Sequence, residues 1–296
     1  MNIDIGIGPD SWGVWVPDQP NQVPWKRFLD EVVEAGYCWI EAGPYGYLPT
    51  DVSTLRKELD SRELRLIATT VMNGHLDDES HWPRIEKDVL RAGETGASLG
   101  AKYLVLIDDA YIDLLSGKQM VGSSLDDDGW KRLIEMTNKM ANIAQGRFGL
   151  TLTLHPNAET HLETEEHLEK VLKETDPELV SLCLDTGHLA YTGGDPVSFM
   201  ARHYDRISYL HIKDVDPDLL RRAKAEQMPM VEATATGVFC EPMDGVVDFE
   251  ALVGVLREVG YEGSATVEQD MYQPSMKKPL PIAKRTRTYL RKIGMG

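Results

Sequence analysis

The sequence alternates eight times between a short apolar segment and a longer amphipathic one. The short segments are four to eight residues long, rich in Ile, Val, Leu, Thr or Tyr, and bounded by Gly, Pro or Asp. That pattern is typical of β-strands. We predict strands at Ile3–Gly8, Cys38–Glu41, Leu64–Val71, Tyr103–Ile107, Leu150–Leu154, Val180–Leu184, Ile207–Ile212 and Ala265–Glu268.

The longer segments place their apolar residues at helical spacing, as Phe28, Leu29 and Val32 show in the first of them. We predict helices at Trp25–Ala35, Asp51–Asp60, Pro83–Leu99, Trp130–Ala144, Thr164–Thr175, Pro196–Tyr204, Asp248–Val259 and Pro279–Ile293.

Strands that alternate with helices indicate a parallel sheet built from βαβ units. Eight such units in 296 residues predict an α/β chain that folds as a single (β/α)8 TIM-barrel domain, residues 1–296. A doubly wound sheet is the competing fold, but the Gly6–Gly8 pair lacks the third glycine of a dinucleotide turn, and Pro9 removes a backbone N–H. A charged insertion at 217–230, after the seventh strand, is predicted to form a helix or a lid above the barrel mouth.

Charge and cysteine content exclude several classes of protein. The chain has 31 Lys and Arg against 48 Asp and Glu, for a net charge of −17, which argues against nucleic-acid binding and anionic membranes. Its three cysteines lie far apart and support neither a disulfide framework nor a zinc finger. With no signal peptide and no membrane-spanning run apparent, we expect a cytoplasmic protein with a small-molecule substrate. The oligomeric state stays open, a homo-oligomer being one option.

The ends of the predicted strands carry the strongest functional signal. In a TIM barrel the chemistry lies at the carboxyl ends of the strands, and six of the eight predicted strands end in, or run into, a charged or imidazole residue. The last four supply His155, Asp185, His211 and Glu268. Two imidazoles and two carboxylates buried together need compensation, and a divalent cation provides it. Mixed nitrogen and oxygen ligands suit Mn²⁺, Co²⁺, Fe²⁺ or Zn²⁺.

Several segments resemble those of the xylose-isomerase-like TIM-barrel superfamily of sugar isomerases, epimerases and dehydratases. DTGH at 185–188 and HIKD at 211–214 are similar to stretches specific for the superfamily, whereas GPYGYLP at 43–49 and VEQD at 267–270 resemble the inosose dehydratases within it. The resemblance runs from the first strand to Asp270. One departure is Asn157, which stands where the dehydratases have the second His of an HPH motif.

The resemblance implies a metal held by groups that end strands five to eight, which are again His155, Asp185, His211 and Glu268. One divalent ion is expected, with Mn²⁺ or Co²⁺ favoured over Zn²⁺ or Mg²⁺. It also implies an acid–base reaction on a polyol or sugar.

Residues just past the strand ends are candidates for catalysis. Glu41, His188 and Lys213 are predicted to contact the substrate rather than the metal. His188 could instead orient Asp185. Lys213 would either have a lowered pKa beside a dication or reach a substrate oxygen, and the alternative is a salt bridge with Asp214 or Glu268.

Substrate-binding candidates are Asp270 and three aromatic residues in the loops after the first two strands, Trp12, Tyr45 and Tyr47. Such aromatics can contact the C–H faces of a polyol ring, although packing beneath a loop is as common. The remaining histidines are predicted to face solvent; they are His75, His81, His161, His167 and His203.

Three functions remain open. The first is a metal-dependent dehydratase, a carbon–oxygen lyase acting on a keto-polyol, with 2-keto-myo-inositol favoured by the resemblance. The second is a keto-sugar isomerase or 3-epimerase that uses the same metal site and returns the proton to carbon. The third is a sugar-binding barrel without catalysis, which a complete ligand set disfavours. A DNA-repair nuclease of the superfamily would need a basic groove, which the charge opposes.

Overall fold

The computed structural model describes residues 3–113 and 116–296. Residues 1, 2, 114 and 115 of the predicted domain lie outside the described residues. Eight parallel strands close into a barrel. In spatial order they are β1 (Ile5–Ile7), β2 (Trp39–Glu41), β3 (Arg65–Val71), β4 (Tyr103–Ile107), β5 (Thr151–His155), β6 (Val180–Asp185), β7 (Ile207–Ile212) and β10 (Ser264–Val267), which pairs back to β1. The predicted (β/α)8 fold is confirmed.

Helices follow the strands, as predicted, and pack their apolar faces on the barrel. They are α1 (Trp25–Glu34), α2 (Val52–Asp60), α3 (Trp82–Leu99), α4 (Asp127–Phe148), α5 (Glu165–Glu174), α6 (Thr186–Tyr191), α7 (Pro196–His203), α8 (Pro217–Glu226), α9 (Met230–Thr236), α10 (Phe249–Glu258) and α11 (Pro279–Ile293). Among the described residues, none of the helices is both long enough and apolar enough to cross a bilayer.

Capping side chains explain most shifts in the helix boundaries. Helix α4 begins three residues before its predicted start because the Asp126 carboxylate accepts a hydrogen bond from the Gly129 amide. Asp51, Thr164 and Asp248 cap α2, α5 and α10 in the same way. Two helices and one pair of strands were not predicted. The helices are α6, which has six residues and directly follows β6, and α9, and the strands are the antiparallel pair β8 (Asp214–Val215) and β9 (Phe239–Cys240).

The segment 217–230 folds as the helix α8 and the turn that leads into α9. Asp216 caps α8 by accepting the Asp218 and Leu219 amides. Met230, the first residue of α9, lines the cavity at the barrel mouth. The prediction of a helix here is confirmed, and the role as a lid stays a prediction.

The barrel interior is filled below the mouth. Tyr103 and Tyr209 stack with ring centroids 4.6 Å apart, in a buried layer that includes Cys183 and Val105. A second, larger apolar core lies between the strands and the surrounding helices. Because the interior is packed, polar side chains can converge only at the carboxyl rim, where the strands end.

Candidate metal and active site

Strand register brings the four predicted ligands together. Asp185 on β6 lies opposite His211 on β7 in the sheet, and the Glu268 amide donates to the Ile212 carbonyl at 3.1 Å. His155 ends β5, the strand beside β6. We call His155, Asp185, His211 and Glu268 the strand-end site. One ligand atom from each lies within 4.8 Å of those of the others.

The nitrogen and oxygen atoms of the strand-end site face one another at short range. His155 Nε2 is 2.9 Å from His211 Nδ1 and 3.5 Å from Asp185 Oδ2. His211 Nδ1 is also 2.9 Å from Glu268 Oε2. Asp185 Oδ2 and His155 Nδ1 are buried and form no hydrogen bond. Buried carboxylate and imidazole atoms at such short range suit a cation between them.

Glu41 fixes the orientation of His211. Its Oε2 is 3.0 Å from His211 Nε2 and accepts the Tyr209 hydroxyl at 2.8 Å, while Oε1 accepts the Thr70 hydroxyl at 2.5 Å. An Nε2–H donated to Glu41 leaves the Nδ1 lone pair directed at the strand-end site, as metal-binding histidines require. Burial alone raises the pKa of Glu41, but His211 and these hydrogen bonds outweigh it and lower the pKa to about 2.

Burial and neighbouring charges determine the protonation of the strand-end site. Burial lowers the pKa of His155, which favours the neutral imidazole that binds metals. Against burial, the carboxylates of Glu268 and Glu41 hold the pKa of His211 well above its usual range, so a cation at Nδ1 would displace a proton from that nitrogen. Cys183 lies close enough to be a third ligand with the two histidines, but burial raises its pKa to about 12, and a neutral thiol is a poor ligand.

Lys213 is the buried cation of the site. Its ammonium nitrogen lies 2.8 Å from Asp270 Oδ2, 3.2 Å from Asp185 Oδ2 and 3.3 Å from Glu268 Oε2. Burial opposes the charge, but these carboxylates outweigh it and hold the pKa of Lys213 well above its usual range. The lowered pKa was expected beside a bound dication, and for that state it stays a prediction. The salt bridge to Glu268 is present, with Asp185 and Asp270 as further partners.

His188 is oriented by the first turn of α6. Asp185 Oδ1 accepts the His188 amide at 2.7 Å, so the side chain of Asp185 caps this helix and also faces the strand-end site. His188 Nδ1 accepts the Ala158 amide at 3.2 Å, and its Nε2 lies 3.1 Å from Lys213 Nζ and 3.5 Å from Asp270 Oδ2. His188, Lys213, Glu41 and Asp270 all line one cavity, as predicted.

Asp10 is a residue of this cavity that we did not predict. It lies on a 3₁₀ turn, Pro9–Trp12, two residues beyond the end of the predicted first strand, and its Oδ2 is buried without a hydrogen bond. Burial, together with the charges of Glu268 and Asp270, raises the pKa of Asp10 well above its usual range, which favours the neutral form of this side chain. Extending the search beyond the strand ends, to the turn that follows the first strand, would have found Asp10.

The predicted aromatic wall is corrected by the structure. Trp12 is buried away from the cavity, with its ring against Phe28 and its Nε1 donating to Glu31 at 2.6 Å. Tyr47 is buried in the same core and donates to the Val23 carbonyl at 3.0 Å. Tyr45 is 41% exposed beside Arg91, and it borders a separate depression.

Trp15 is the aromatic residue that does line the cavity. The turn after Trp12 passes through Gly13 at φ 77°, a left-handed conformation that Cβ atoms disfavour. There the chain reverses, so that Trp12 lies in the core and Trp15 at the mouth. The sequence pattern does not distinguish the two tryptophans, and only the turn separates their roles.

The cavity has a volume of about 100 Å³. Its floor carries the charged residues described above, and its walls are apolar, formed by Val14, Trp15, Met72, Ile107 and Met230. A polar floor under apolar walls suits a small, compact ligand whose oxygens point to one side. The fold and this site together define a TIM-barrel enzyme with its reactive groups at the carboxyl rim.

Comparison with known proteins agrees with that class. The family model described as xylose isomerase-like TIM barrel matches residues 29–293, and the chain belongs to this family. The inosose dehydratase of Clostridium beijerinckii is 29% identical over 297 residues, which cover 98% of this chain and 96% of that protein. The inosose dehydratase of Geobacillus kaustophilus is 30% identical over 294 residues, covering 98% and 94%. The chain is an enzyme of this superfamily.

Solved structures show the same fold at lower identity. A xylose isomerase-like TIM-barrel protein from Mycobacterium smegmatis in complex with magnesium has a TM-score of 0.73 at 19% identity, covering 99% of this chain and 96% of that one. An IolI protein with a bound zinc atom has a TM-score of 0.71 at 18% identity, covering 97% and 98%. An L-ribulose 3-epimerase has a TM-score of 0.71 at 17% identity, covering 99% and 96%.

Proposed function

We propose that this enzyme is a metal-dependent dehydratase, a carbon–oxygen lyase that acts on a keto-polyol, with 2-keto-myo-inositol as the favoured substrate. The observation that carries the proposal is that two members of the strand-end site, His155 and Glu268, line one small cavity together with five further titratable residues. These are Asp10, Glu41, His188, Lys213 and Asp270. The relatives named inosose dehydratase, similar over nearly the whole chain, support this choice of substrate.

His155, Asp185, His211 and Glu268 would hold the cation, in keeping with the convergence of their ligand atoms and with the contact between His211 Nε2 and Glu41. When bound, a divalent ion polarises a ketone and makes the neighbouring carbon acidic. Mn²⁺ or Co²⁺ is favoured, with Zn²⁺ or Mg²⁺ as alternatives, because the ligand set mixes nitrogen and oxygen. A zinc atom in one structural relative and magnesium in another support a divalent ion.

Lys213 would stabilise charge on a substrate oxygen. Its ammonium is buried, held charged by three carboxylates, and directed into the cavity. A fixed positive charge in a buried site favours the negative charge that develops when a carbon beside a ketone loses its proton.

Asp270 and Asp10 would divide the proton transfers. Burial alone raises the pKa of Asp270, but the ammonium of Lys213 outweighs burial and lowers it, so this residue is a carboxylate able to accept the proton from the α-carbon. The C–H electron pair then forms the carbon–carbon double bond as the C–O bond at the β-carbon breaks. Asp10, a neutral acid, gives its proton to the departing hydroxide, and water leaves. The catalytic residues predicted from the sequence are Lys213, His188 and Glu41. The proposal adds Asp10 to them, and it also adds Asp270, which the sequence analysis had placed among the substrate-binding residues.

The product separates this proposal from its alternatives. Metal-stripped protein reconstituted with Mn²⁺ or Co²⁺ is incubated with 2-keto-myo-inositol and followed by mass spectrometry and near-ultraviolet absorbance. We expect the mass of one water to be lost and absorbance to grow, since elimination leaves a conjugated product. Unchanged substrate under every metal would refute the dehydratase.

The second candidate is a keto-sugar isomerase or 3-epimerase. The similarity of the fold to an L-ribulose 3-epimerase motivates it, and the same acid–base groups could return the proton to carbon instead of expelling hydroxide. Interconversion of a ketohexose and its 3-epimer, without loss of water from 2-keto-myo-inositol, would favour this candidate.

A further inference from the structure

A second group of metal-ligating side chains lies outside the strand-end site. His75 and Asp77 lie in the loop after β3, Asp108 follows β4, and His161 lies in the loop after β5. We call these four residues the loop cluster. One ligand atom from each lies within 4.8 Å of those of the others. Three consecutive loops of the barrel therefore meet at one point.

His161 is the centre of the loop cluster, and it is not the solvent-facing residue that we predicted. The side chain is 3% exposed. Its Nε2 lies 3.0 Å from the Gly122 carbonyl, and its Nδ1 lies 2.9 Å from Asp108 Oδ2 and 3.9 Å from Asp77 Oδ1. Because a carbonyl only accepts hydrogen bonds, Nε2 carries a proton. In the neutral ring, Nδ1 then directs a lone pair at two carboxylates, which requires a positive charge at that point.

Metal-binding histidines typically donate their second ring nitrogen to a carbonyl or carboxylate, which is the contact that His161 makes with Gly122. His75 adds a further ligand, because its Nδ1 is buried and has no hydrogen-bond partner. The cluster thus offers two imidazole nitrogens and two carboxylate oxygens, a set that suits Zn²⁺.

The backbone around the loop cluster is fixed independently of any ligand. The His75 amide donates to His81 Nδ1 at 3.0 Å, and the Leu76 amide donates to Asp108 Oδ1 at 2.8 Å. Arg132 Nε donates to the Asp77 carbonyl at 2.7 Å. A site held in advance in this way loses little conformational entropy when it binds an ion.

The surroundings of the loop cluster are open to solvent and mostly acidic. His75, Asp77 and His161 line a depression of about 340 Å³ that Asp78 and Asp126 also border. Arg132 is the one cationic side chain, other than histidine, that lines this depression among the described residues. An entry path for a cation is therefore present, and the carboxylates would attract it.

We propose that the loop cluster binds a second divalent cation, Zn²⁺ by its ligand chemistry, in addition to the ion at the strand-end site. The loops after β3 and β5 contribute Met72 and Asn157 to the active-site cavity, and Ile107, the last residue of β4 before the loop that carries Asp108, also lines it. The second ion ties these loops together and so fixes one wall of the cavity, without touching the reacting atoms.

The test isolates the loop cluster in a His211→Ala background, which removes a ligand from the strand-end site. The protein is stripped with chelator, reconstituted with Zn²⁺, gel-filtered and analysed for metal by mass spectrometry. We expect about one equivalent of zinc to remain in His211→Ala and to be lost on adding His75→Ala or His161→Ala. Adding His203→Ala, which removes an imidazole on α7 beside Glu169, should leave the zinc in place.

His75 is half-buried, so His75→Ala keeps the test valid if His161→Ala fails to fold. As a second measurement on the otherwise unaltered chain, Zn²⁺ should slow amide hydrogen exchange in residues 73–78 and 157–163, and His75→Ala should abolish that protection. Either a His211→Ala protein that retains no zinc, or a His211→Ala/His75→Ala protein that retains it all, would overturn the proposal. The remaining explanation would then be a proton on His161 paired with Asp108.

Discussion

The strand-end site and the loop cluster have the same kinds of ligand and differ in what positions them. In the strand-end site every ligand lies within one residue of the end of a barrel strand, so the register of the sheet sets their spacing. In the loop cluster only Asp108 directly follows a strand, and the other three residues depend on turns fixed by hydrogen bonds to the backbone. The geometry of the strand-end site is thus fixed by the barrel itself, whereas that of the loop cluster depends on local hydrogen bonds.

The largest expected effect is that of His211→Ala. Removing this residue leaves the strand-end site with three of its four ligands. Metal binding there should be abolished, and turnover should fall by about 10³-fold or more. Far-ultraviolet circular dichroism should be unchanged, because the apolar core lies elsewhere. His203→Ala is the matched control. Global unfolding of His211→Ala would instead mean that the cluster is structural.

The next effect separates metal binding from substrate chemistry. Lys213→Met removes the buried ammonium and should lower kcat by about 10²–10³-fold, as the loss of a preorganised charge does in other sites. Metal content should be no lower than in the unaltered chain, because the ligands remain. Lys224→Met, on the exposed face of α8, is the control. Loss of metal with normal turnover of the remaining loaded enzyme would contradict the role given to Lys213.

Glu41→Gln tests whether Glu41 acts through His211 or on the substrate. Because Glu41 accepts the Nε2 proton of His211, we expect metal affinity to fall by about 10–100-fold, with kcat nearly restored at saturating metal. Titration of activity with Mn²⁺ measures both quantities, and Glu178→Gln is an exposed control. A low kcat at saturating metal, with unchanged affinity, would show that Glu41 contacts the substrate, as the sequence predicted.

The smallest effect on activity compares the two tryptophans. Trp15→Ala should raise KM by roughly 2- to 10-fold, because an aromatic contact with a ring contributes about 0.5–1.5 kcal/mol. Trp12→Ala should cost about 3–5 kcal/mol of stability by emptying a buried site, with KM little changed in the folded fraction. Thermal unfolding and steady-state kinetics of both variants measure this difference. A raised KM for Trp12→Ala, with a loss of stability for Trp15→Ala, would show that Trp12 and not Trp15 lines the cavity.

The contrast between the two clusters also shows how much could be predicted from the sequence. In a parallel barrel the carboxyl ends of all strands lie at the same rim. The strand pattern alone was therefore enough to place four residues on that rim, namely His155, Asp185, His211 and Glu268. Asp10 falls outside that rule because a turn separates it from its strand. His161 was misjudged because its environment is created by Asp108 and Gly122, which come from other loops.

The two tryptophans and helix α6 also show what could not be predicted from the sequence pattern. Trp12 and Trp15 are three positions apart, and a single left-handed glycine between them decides which one is buried. Helix α6 has only six residues, too few for a periodic pattern, and it begins because Asp185 caps it. Regular elements were readable from periodicity, whereas short turns held by side-chain hydrogen bonds were not.

The occupancy of the strand-end site by a metal is tested most directly by anomalous diffraction from crystals soaked in Mn²⁺. We predict a manganese peak bounded by His155 Nε2, Asp185 Oδ2, His211 Nδ1 and Glu268 Oε2, with metal–ligand distances of roughly 2.0–2.3 Å. No peak among these four atoms, or a peak with two of the four residues beyond coordination distance, would contradict the metal-dependent enzyme proposed above.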